Sequence, residues 1–167
     1  MQARMNGAKV IYVNPRLTPT GKHADLCLQF YSRTDVSLLN CFMQLILKND
    51  WENKDFIENR TKDFEKVKEA VMKEIYPPDN VSKFTSIPSA DIIKAAEWFG
   101  RSGQSAVLNS IGITQHTTVV DNVKLVANLQ MLTSNFGRPV TGICSRYGQN
   151  NVQDACDTGA LANGYSG

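Results

Sequence analysis

The stretch Lys9-Val10-Ile11-Tyr12-Val13-Asn14-Pro15 decides the fold class of this 167-residue chain. Four consecutive apolar residues follow Lys9, and the Asn-Pro pair then stops the run. A short β-branched run bounded by such a signal predicts a buried strand that enters a loop at its carboxyl end. We therefore expect residues 9–13 to form a strand and Asn14 to begin a loop.

Two further strands are predicted downstream, at residues 26–30 and 105–111. The eleven residues 14–24 between the first two strands include two prolines and Gly21. They are too few for a full crossover helix but suffice for a loop with one short turn.

Four helices are predicted, and they differ in their apolar patterns. The first is apolar on nearly every face and is expected to pack between layers, whereas the second has one apolar stripe and is expected to lie on the surface. Ser89 is expected to cap the third. The predicted ranges are 35–48, 62–75, 90–99 and 118–132.

Strands separated by helices predict an α/β fold, with three αβα layers and a mainly parallel sheet. Three strands are fewer than the five or six of a complete doubly wound sheet. The sequence therefore predicts part of a larger dinucleotide-binding-like domain.

Composition excludes several classes of function. The 18 Lys and Arg residues nearly balance 16 Asp and Glu, so charge gives no reason to expect nucleic acid or an anionic membrane as partner. The four cysteines form no CxxC pair, which argues against a local zinc or iron-sulfur site. No apolar window is long enough for a membrane span, and the N-terminus has no signal-peptide pattern, so we expect a cytoplasmic location.

Two loops after predicted strands could bind a ligand, since open parallel sheets bind ligands outside the carboxyl ends of their strands. Asn14 and Arg16 could contact a nucleotide, or they could form an ordinary Asn-Pro turn with a surface arginine. The second loop, residues 112–118, opens a helix and could favour an anion. Its threonines could equally be helix caps, and His116 an ordinary loop histidine.

A family resemblance rests on the segment 148–161, GQNNVQDACDTGAL. It is similar to the GQNNVQGACDMGAL signature of molybdenum- or tungsten-dependent formate dehydrogenases. Other matching segments occur in family order along nearly the whole chain: NPR, KHADLCLQ, TDVSLLN, DFIENRT, IPSADI, GITQHTT and NFGRP. The chain thus resembles an internal segment of the large subunit of these molybdopterin oxidoreductases.

The resemblance implies a pair of molybdopterin guanine dinucleotides holding one Mo or W atom, in an enzyme that oxidises formate to carbon dioxide. Residues 1–143 would form most of one cofactor-binding domain, and the Gly- and Asn-rich residues 144–167 would lead into the next. The implied cofactor-binding residues are Asn14, Arg16 and Asp35 at the guanine end, Gly112 and Gln115 near the pterin, and Gly148 and Gln149 beneath the metal.

The resemblance also implies missing parts. The family's iron-sulfur cysteines and the selenocysteine or cysteine that binds the metal lie N-terminal to the matching segment, so we expect no catalytic or metal-binding residue here and no activity of the chain alone. Its partner would be the rest of such a subunit. Three places depart from the family pattern: Tyr147 replaces an arginine, Asn109-Ser110-Ile111 replaces Trp-Gly-Met, and Ser32-Arg33 replaces Pro-Gly.

Two alternatives remain open. The chain could be a non-catalytic assembly subunit that self-associates through the apolar helices 36–47 and 119–132, since an incomplete domain exposes apolar surface. It could also be a complete enzyme that acts alone on formate.

Overall fold

The computed structural model describes residues 2–115, 117–146, 148 and 157–158. Its elements in chain order are α1 (Gln2–Met5), β1 (Ile11–Val13), a 3₁₀ turn (Gly21–His23), β2 (Leu26–Leu28), α2 (Asp35–Lys48), α3 (Lys54–Arg60), α4 (Phe64–Val71), α5 (Pro78–Thr85), α6 (Ser89–Gly100), β3 (Ala106–Asn109), α7 (Ile111–Thr114), α8 (Val119–Leu132) and β4 (Gly142–Ser145). None of the helices in these ranges is long and apolar enough to cross a bilayer.

The strands pair in parallel, which confirms the predicted α/β class. β1 pairs with β2 from Ile11 opposite Leu26 to Val13 opposite Leu28, and β3 pairs with β4. The loop from β1 to β2 contains one short 3₁₀ turn, as predicted. In the described part of the chain, these strands make two sheets of two strands each. β1, β2 and β3 are each shorter than their predicted ranges, and β4 was not predicted.

Helix α2 is the centre of the core. Its side chains at Leu38, Cys41, Phe42, Met43 and Ile46 are buried, and α4, α5, α6 and α8 all pack against it. The prediction of a helix packed between layers is confirmed. The other helices cover most of the apolar surface of residues 36–47, and self-association through this helix and residues 119–132 stays a prediction.

The predicted helix 62–75 is wrong in its extent, since α4 ends at Val71. Ile75 lies beyond it and is 52% exposed, so it does not continue the apolar stripe. The Pro77-Pro78 pair does end this region, but Pro78 also takes the first position of α5, which was not predicted. Proline is favoured there because the first helical N–H has no partner within the helix.

Two helix starts differ from the sequence analysis. Ser89 is the first residue of α6 and Pro88 stands at the cap position, with no side-chain cap bond, so the prediction of a Ser89 cap is wrong. Helix α3 was missed although it has a clear cap, since the Asn53 Oδ1 atom accepts the Phe56 N–H at 2.8 Å. That bond satisfies one of the unpaired donors at a helix N-terminus.

A buried polar network joins the C-terminal end of α8 to the starts of β3 and β4. The side-chain amide of Asn135 donates to the Ser105 and Thr133 hydroxyls, both at 2.7 Å, and its Oδ1 atom accepts the Ser105 N–H at 3.0 Å. Gln130 Nε2 donates to the Gly142 carbonyl at 3.0 Å. Arg138 donates to Asn135 Oδ1 at 3.1 Å. This network fixes where both strands begin.

The cysteines differ in accessibility, which leads to a prediction. Burial raises the pKa of the Cys41 thiol to about 12, whereas Cys144 is exposed. Because the thiolate is the reactive form, iodoacetamide at pH 8 should label Cys144 and leave Cys41 unmodified until the protein is unfolded in urea. Peptide mass spectrometry would measure both. Equal labelling of the two residues in the native protein would contradict the burial of α2.

Candidate functional site

In the first strand pair, the chain segments after β1 and β2 leave from the same end of the sheet, where both strands finish. Asn14 follows β1, and its N–H donates to the carbonyl of Leu28, the last residue of β2, at 3.1 Å. The chain beyond β2 leads to Asp35, which is buried in the first turn of α2. Parallel pairing therefore directs the segments that contain Asn14, Arg16 and Asp35 away from the same edge.

The Asn14 loop has a defined turn. The Asn14 side-chain Oδ1 atom accepts the Arg16 N–H at 2.8 Å, and the Tyr12 hydroxyl donates to the Arg16 carbonyl at 3.0 Å. The Tyr12 hydroxyl also bonds to the Thr18 hydroxyl at 2.8 Å. The turn interpretation is thus confirmed, and the Arg16 side chain is exposed beyond it. Within the described residues, neither its guanidinium nor the Asn14 Nδ2 atom makes a hydrogen bond.

Gly21 holds this loop against β1. A Cβ atom at Gly21 would lie 2.6 Å from Cε1 of the Tyr12 ring. Because real Cβ atoms do not approach so closely, a larger residue would displace the ring and with it the hydroxyl that holds Arg16. Sequence analysis counted Gly21 only as a turn residue, and its close contact with the ring needed the structure to be seen.

The second strand pair brings two further segments together. The Arg146 N–H, directly after β4, donates to the Asn109 carbonyl at 2.8 Å. The Ser110 hydroxyl donates to the Arg146 carbonyl at 2.7 Å, and the Ser145 hydroxyl donates to the Asn109 Oδ1 atom at 3.1 Å. Asn109 and Ser110 differ from the residues that are common in the resembled family. Both are hydrogen-bonded to residues at the end of β4. Only the departure, and not this role, was visible in the sequence.

The glycines after β3 and β4 lie at this second edge. A Cβ atom at Gly148 would be 3.6 Å from Cγ2 of Ile111, so Gly148 lies against the first residue of α7. Gly112 is the next residue of α7, and a Cβ atom there would meet nothing within 4 Å. Gln115 follows α7 and is exposed. The structure thus brings the segments of Gly112, Gln115 and Gly148 together.

Some expected positions lie outside the described residues. They are Gln149, which is one of the implied cofactor-binding residues, together with His116 and Tyr147. The strand β4 spans the expected domain boundary between residues 143 and 144. That boundary remains a prediction.

Asn122 carries an unsatisfied hydrogen-bond acceptor beside the same loop. It is fully buried in the first half of α8, and its Nδ2 atom donates to the Ile113 carbonyl at 3.3 Å. Its Oδ1 atom is buried and has no hydrogen-bond partner among the described residues. A buried acceptor without a donor lowers stability, so a bound N–H group or a water would be favoured at this position. Sequence analysis had not selected Asn122.

The backbone conformation of Arg33 shows what the replacement of Pro-Gly by Ser32-Arg33 changes. Its φ of 75° lies in the left-handed region, where glycine is unstrained and a residue with a Cβ atom is not. The glycine common at this place in the resembled family suits that conformation. Arg33 therefore introduces local strain just before Asp35.

The described residues contain no group of three side chains able to hold a metal ion. Their three cysteines, at 27, 41 and 144, are free thiols in different parts of the fold. The described part of the site offers loop backbone groups, open space at Gly112 and the positively charged Arg16 side chain. Backbone N–H groups and a guanidinium can donate hydrogen bonds to an anionic organic group.

Comparison with known proteins identifies the family. The molybdopterin oxidoreductase family model matches residues 1–167. The chain belongs to the molybdopterin oxidoreductase family. It is 42% identical to the F420-dependent formate dehydrogenase 1 subunit alpha of Methanococcus maripaludis, over 100% of this chain and 24% of that protein. It is 35% identical to formate dehydrogenase H of Escherichia coli, over 100% of this chain and 23% of that protein.

A solved structure supports the fold. Acetylene hydratase from Pelobacter acetylenicus matches with a TM-score of 0.78 and 25% identity, over 83% of this chain and 19% of that one. The chain spans about a quarter of the length of the two formate dehydrogenases named above. Because the solved structure is a hydratase and these two relatives are formate dehydrogenases, the fold of the segment does not by itself identify a substrate.

Proposed function

We propose that this formate dehydrogenase-like segment contacts a molybdopterin guanine dinucleotide through the two loop groups at its strand ends. The parent reaction would be formate oxidation to carbon dioxide. The rest of such a subunit would be the partner, and the assembly would be cytoplasmic. The observation that supports the proposal is that both strand pairs are parallel, so Asn14 and the segment leading to Asp35 follow the carboxyl ends of one pair, while Gly112 and Gly148 follow those of the other.

The Asn14 loop is proposed to hold the guanosine phosphate end. Its turn is fixed by bonds from Tyr12 and Asn14, so the exposed Arg16 guanidinium extends from a rigid base. A planar guanidinium can donate two parallel hydrogen bonds to a phosphate. The Asn14 Nδ2 atom remains available as a donor, and Asp35 lies on the segment that leaves β2.

The second group is proposed to hold the pterin end. Open space at Gly112 lets a flat ring approach the backbone. The buried Asn122 Oδ1 atom could be satisfied by a donor at this edge, directly or through water. The bound cofactor would supply the Mo or W atom that undergoes the redox change. The residues described here would orient it and exclude water.

The first test is guanine nucleotide binding. GDP serves as the probe for the guanosine diphosphate end, and calorimetry measures its Kd with the whole chain. Arg16→Ala should raise the Kd by about one to two orders of magnitude, because a charge-assisted bond to phosphate contributes roughly 1.5 to 3 kcal/mol. Arg60→Ala is the matched control, since Arg60 is exposed on α3. Equal weakening by both variants would show that charge alone attracts the nucleotide, against the proposed site.

A further inference from the structure

Residues 31–34 form a tight turn between β2 and α2, and Arg33 is its third residue. The N–H group and the hydroxyl of Thr34 both donate to the Tyr31 carbonyl, at 3.3 and 2.7 Å. Arg33 has a φ of 75°, and a positive φ at the third residue is typical of a type II turn, in which proline is common second and glycine third. This chain therefore keeps the turn but has a long cationic side chain where glycine fits best.

Arg33 is unfavourable at this position for two local reasons. A residue with a Cβ atom is strained at such a φ. Its positive charge also lies directly before Thr34, which precedes the first turn of α2, and the positive end of a helix dipole disfavours a cation there. Within the described residues, the exposed Arg33 guanidinium makes no hydrogen bond or ion pair that offsets either effect. Contacts inside the described chain therefore do not account for an arginine at this place.

The Arg33 turn lies at the same end of the first sheet as the Arg16 turn. β1 and β2 are parallel neighbours, and the Arg16 turn follows β1 as the Arg33 turn follows β2. The Arg16 side chain is also exposed. Two guanidiniums that have no partner among the described residues thus extend from neighbouring strand ends. This arrangement favours an anion that carries more than one negative charge.

We infer that Arg33 is a second phosphate-binding cation, which acts with Arg16 on the diphosphate of the bound nucleotide; the inference rests on the proposed function. The seven residues that the resemblance implies include a single cation, Arg16, whereas each phosphate of a diphosphate carries negative charge. Arg33 supplies the second cation. Because a planar guanidinium can donate two parallel hydrogen bonds to a phosphate, the two turns would hold the diphosphate from neighbouring strands. The bound anion would also offset the unfavourable placement of Arg33 beside α2.

Calorimetry with GDP as the probe tests the inference on the whole chain. Arg33→Gly should raise the Kd for GDP at least about tenfold, because it removes a charge-assisted contact to phosphate. The dependence of this Kd on salt concentration should become shallower, since one fewer charge attracts the anion. The same variant should raise the free energy of unfolding, because glycine is unstrained at this φ. Damage to the fold cannot produce weaker binding together with higher stability.

Two matched controls separate the charge of Arg33 from its backbone strain. Ser86 follows α5, is exposed and has a φ of 66°. Ser86→Gly should therefore stabilise the chain and leave the Kd for GDP unchanged. Arg60→Ala removes an exposed cation from α3, and it should change neither the Kd nor its salt dependence.

The outcomes distinguish this inference from the proposed function. If Arg33→Gly binds GDP as well as the unmodified chain does, while Arg16→Ala binds it more weakly, the inference is overturned and the proposed function stands. If the unmodified chain binds no GDP, both are overturned. Weaker binding by Arg33→Gly with an unaltered salt dependence would exclude a phosphate contact, and equal weakening by Arg60→Ala would show that the position of the charge is irrelevant.

Discussion

Replacing Asn135 with alanine is expected to lower the free energy of unfolding by about 2 to 3 kcal/mol. Asn135 is 1% exposed and bonds to Ser105, Thr133 and Arg138. The substitution leaves the Ser105 N–H without its acceptor and two hydroxyls without their donor in a buried region. Urea unfolding followed by circular dichroism would measure the loss.

Asn128→Ala is the matched control for this prediction. Asn128 is half-buried on α8, and its side chain makes no hydrogen bond to the described residues. Its substitution should change the unfolding free energy by less than about 0.5 kcal/mol. Because Asn135 fixes the start of β3, Asn135→Ala should also speed amide exchange in β3. If the two variants were equally stable, the network would contribute little to the fold.

Replacing Met43 with alanine should be at least as severe, at about 2 to 5 kcal/mol. Met43 is 0% exposed in the middle of α2, where four other helices pack, so the smaller side chain would leave a cavity that the surroundings can only partly fill. The same urea experiment measures the effect. The loss should appear as a lower urea concentration at the unfolding midpoint, with no change in the slope of the unfolding free energy against urea concentration.

Met72→Ala provides the comparison at a solvent-facing site. Met72 lies directly after α4 and is 38% exposed, so truncation there removes less buried area than at Met43 and should cost about 1 kcal/mol. Comparable losses at the two methionines would mean that α2 is not the centre of the core.

Periodicity and turn signals located the long elements because each has a local cause. Helix α2 was predicted at its observed bounds, since residues 35–48 are apolar on nearly every face and nothing interrupts them. The strand ending at Val13 was located by the Asn-Pro stop. These features depend on neighbouring residues, which a sequence displays directly.

Elements that depend on distant partners were missed. Strand β4 lies in a segment rich in glycine and polar residues, and it forms because β3 offers its backbone and Gln130 binds the Gly142 carbonyl. Helix α5 follows a proline pair that was interpreted only as a break. Strand pairing decided the first outcome, whereas α5 has a local signal, Pro78 at its first position, that was not used.

The residues of the candidate site also fall into two kinds, those that sequence motifs select and those that only the folded chain reveals. Family motifs selected Asn14, Arg16 and Gly112, and parallel pairing places them at strand ends. Motifs gave no hint of Asn122, because its role depends on the Ile113 carbonyl and on an acceptor left unpaired by burial. Side-chain environment is a property of the folded chain and not of any short segment.

The most direct test of the cofactor proposal is the guanine and metal content of the chain, purified from a host that makes molybdopterin guanine dinucleotide. Acid hydrolysis and chromatography quantify GMP, and inductively coupled plasma mass spectrometry quantifies Mo and W. We predict GMP in a fixed ratio to protein, reduced in Arg16→Ala and unchanged in Arg60→Ala. A folded chain that carries no GMP, even when the remaining subunit is co-expressed, would contradict the proposal.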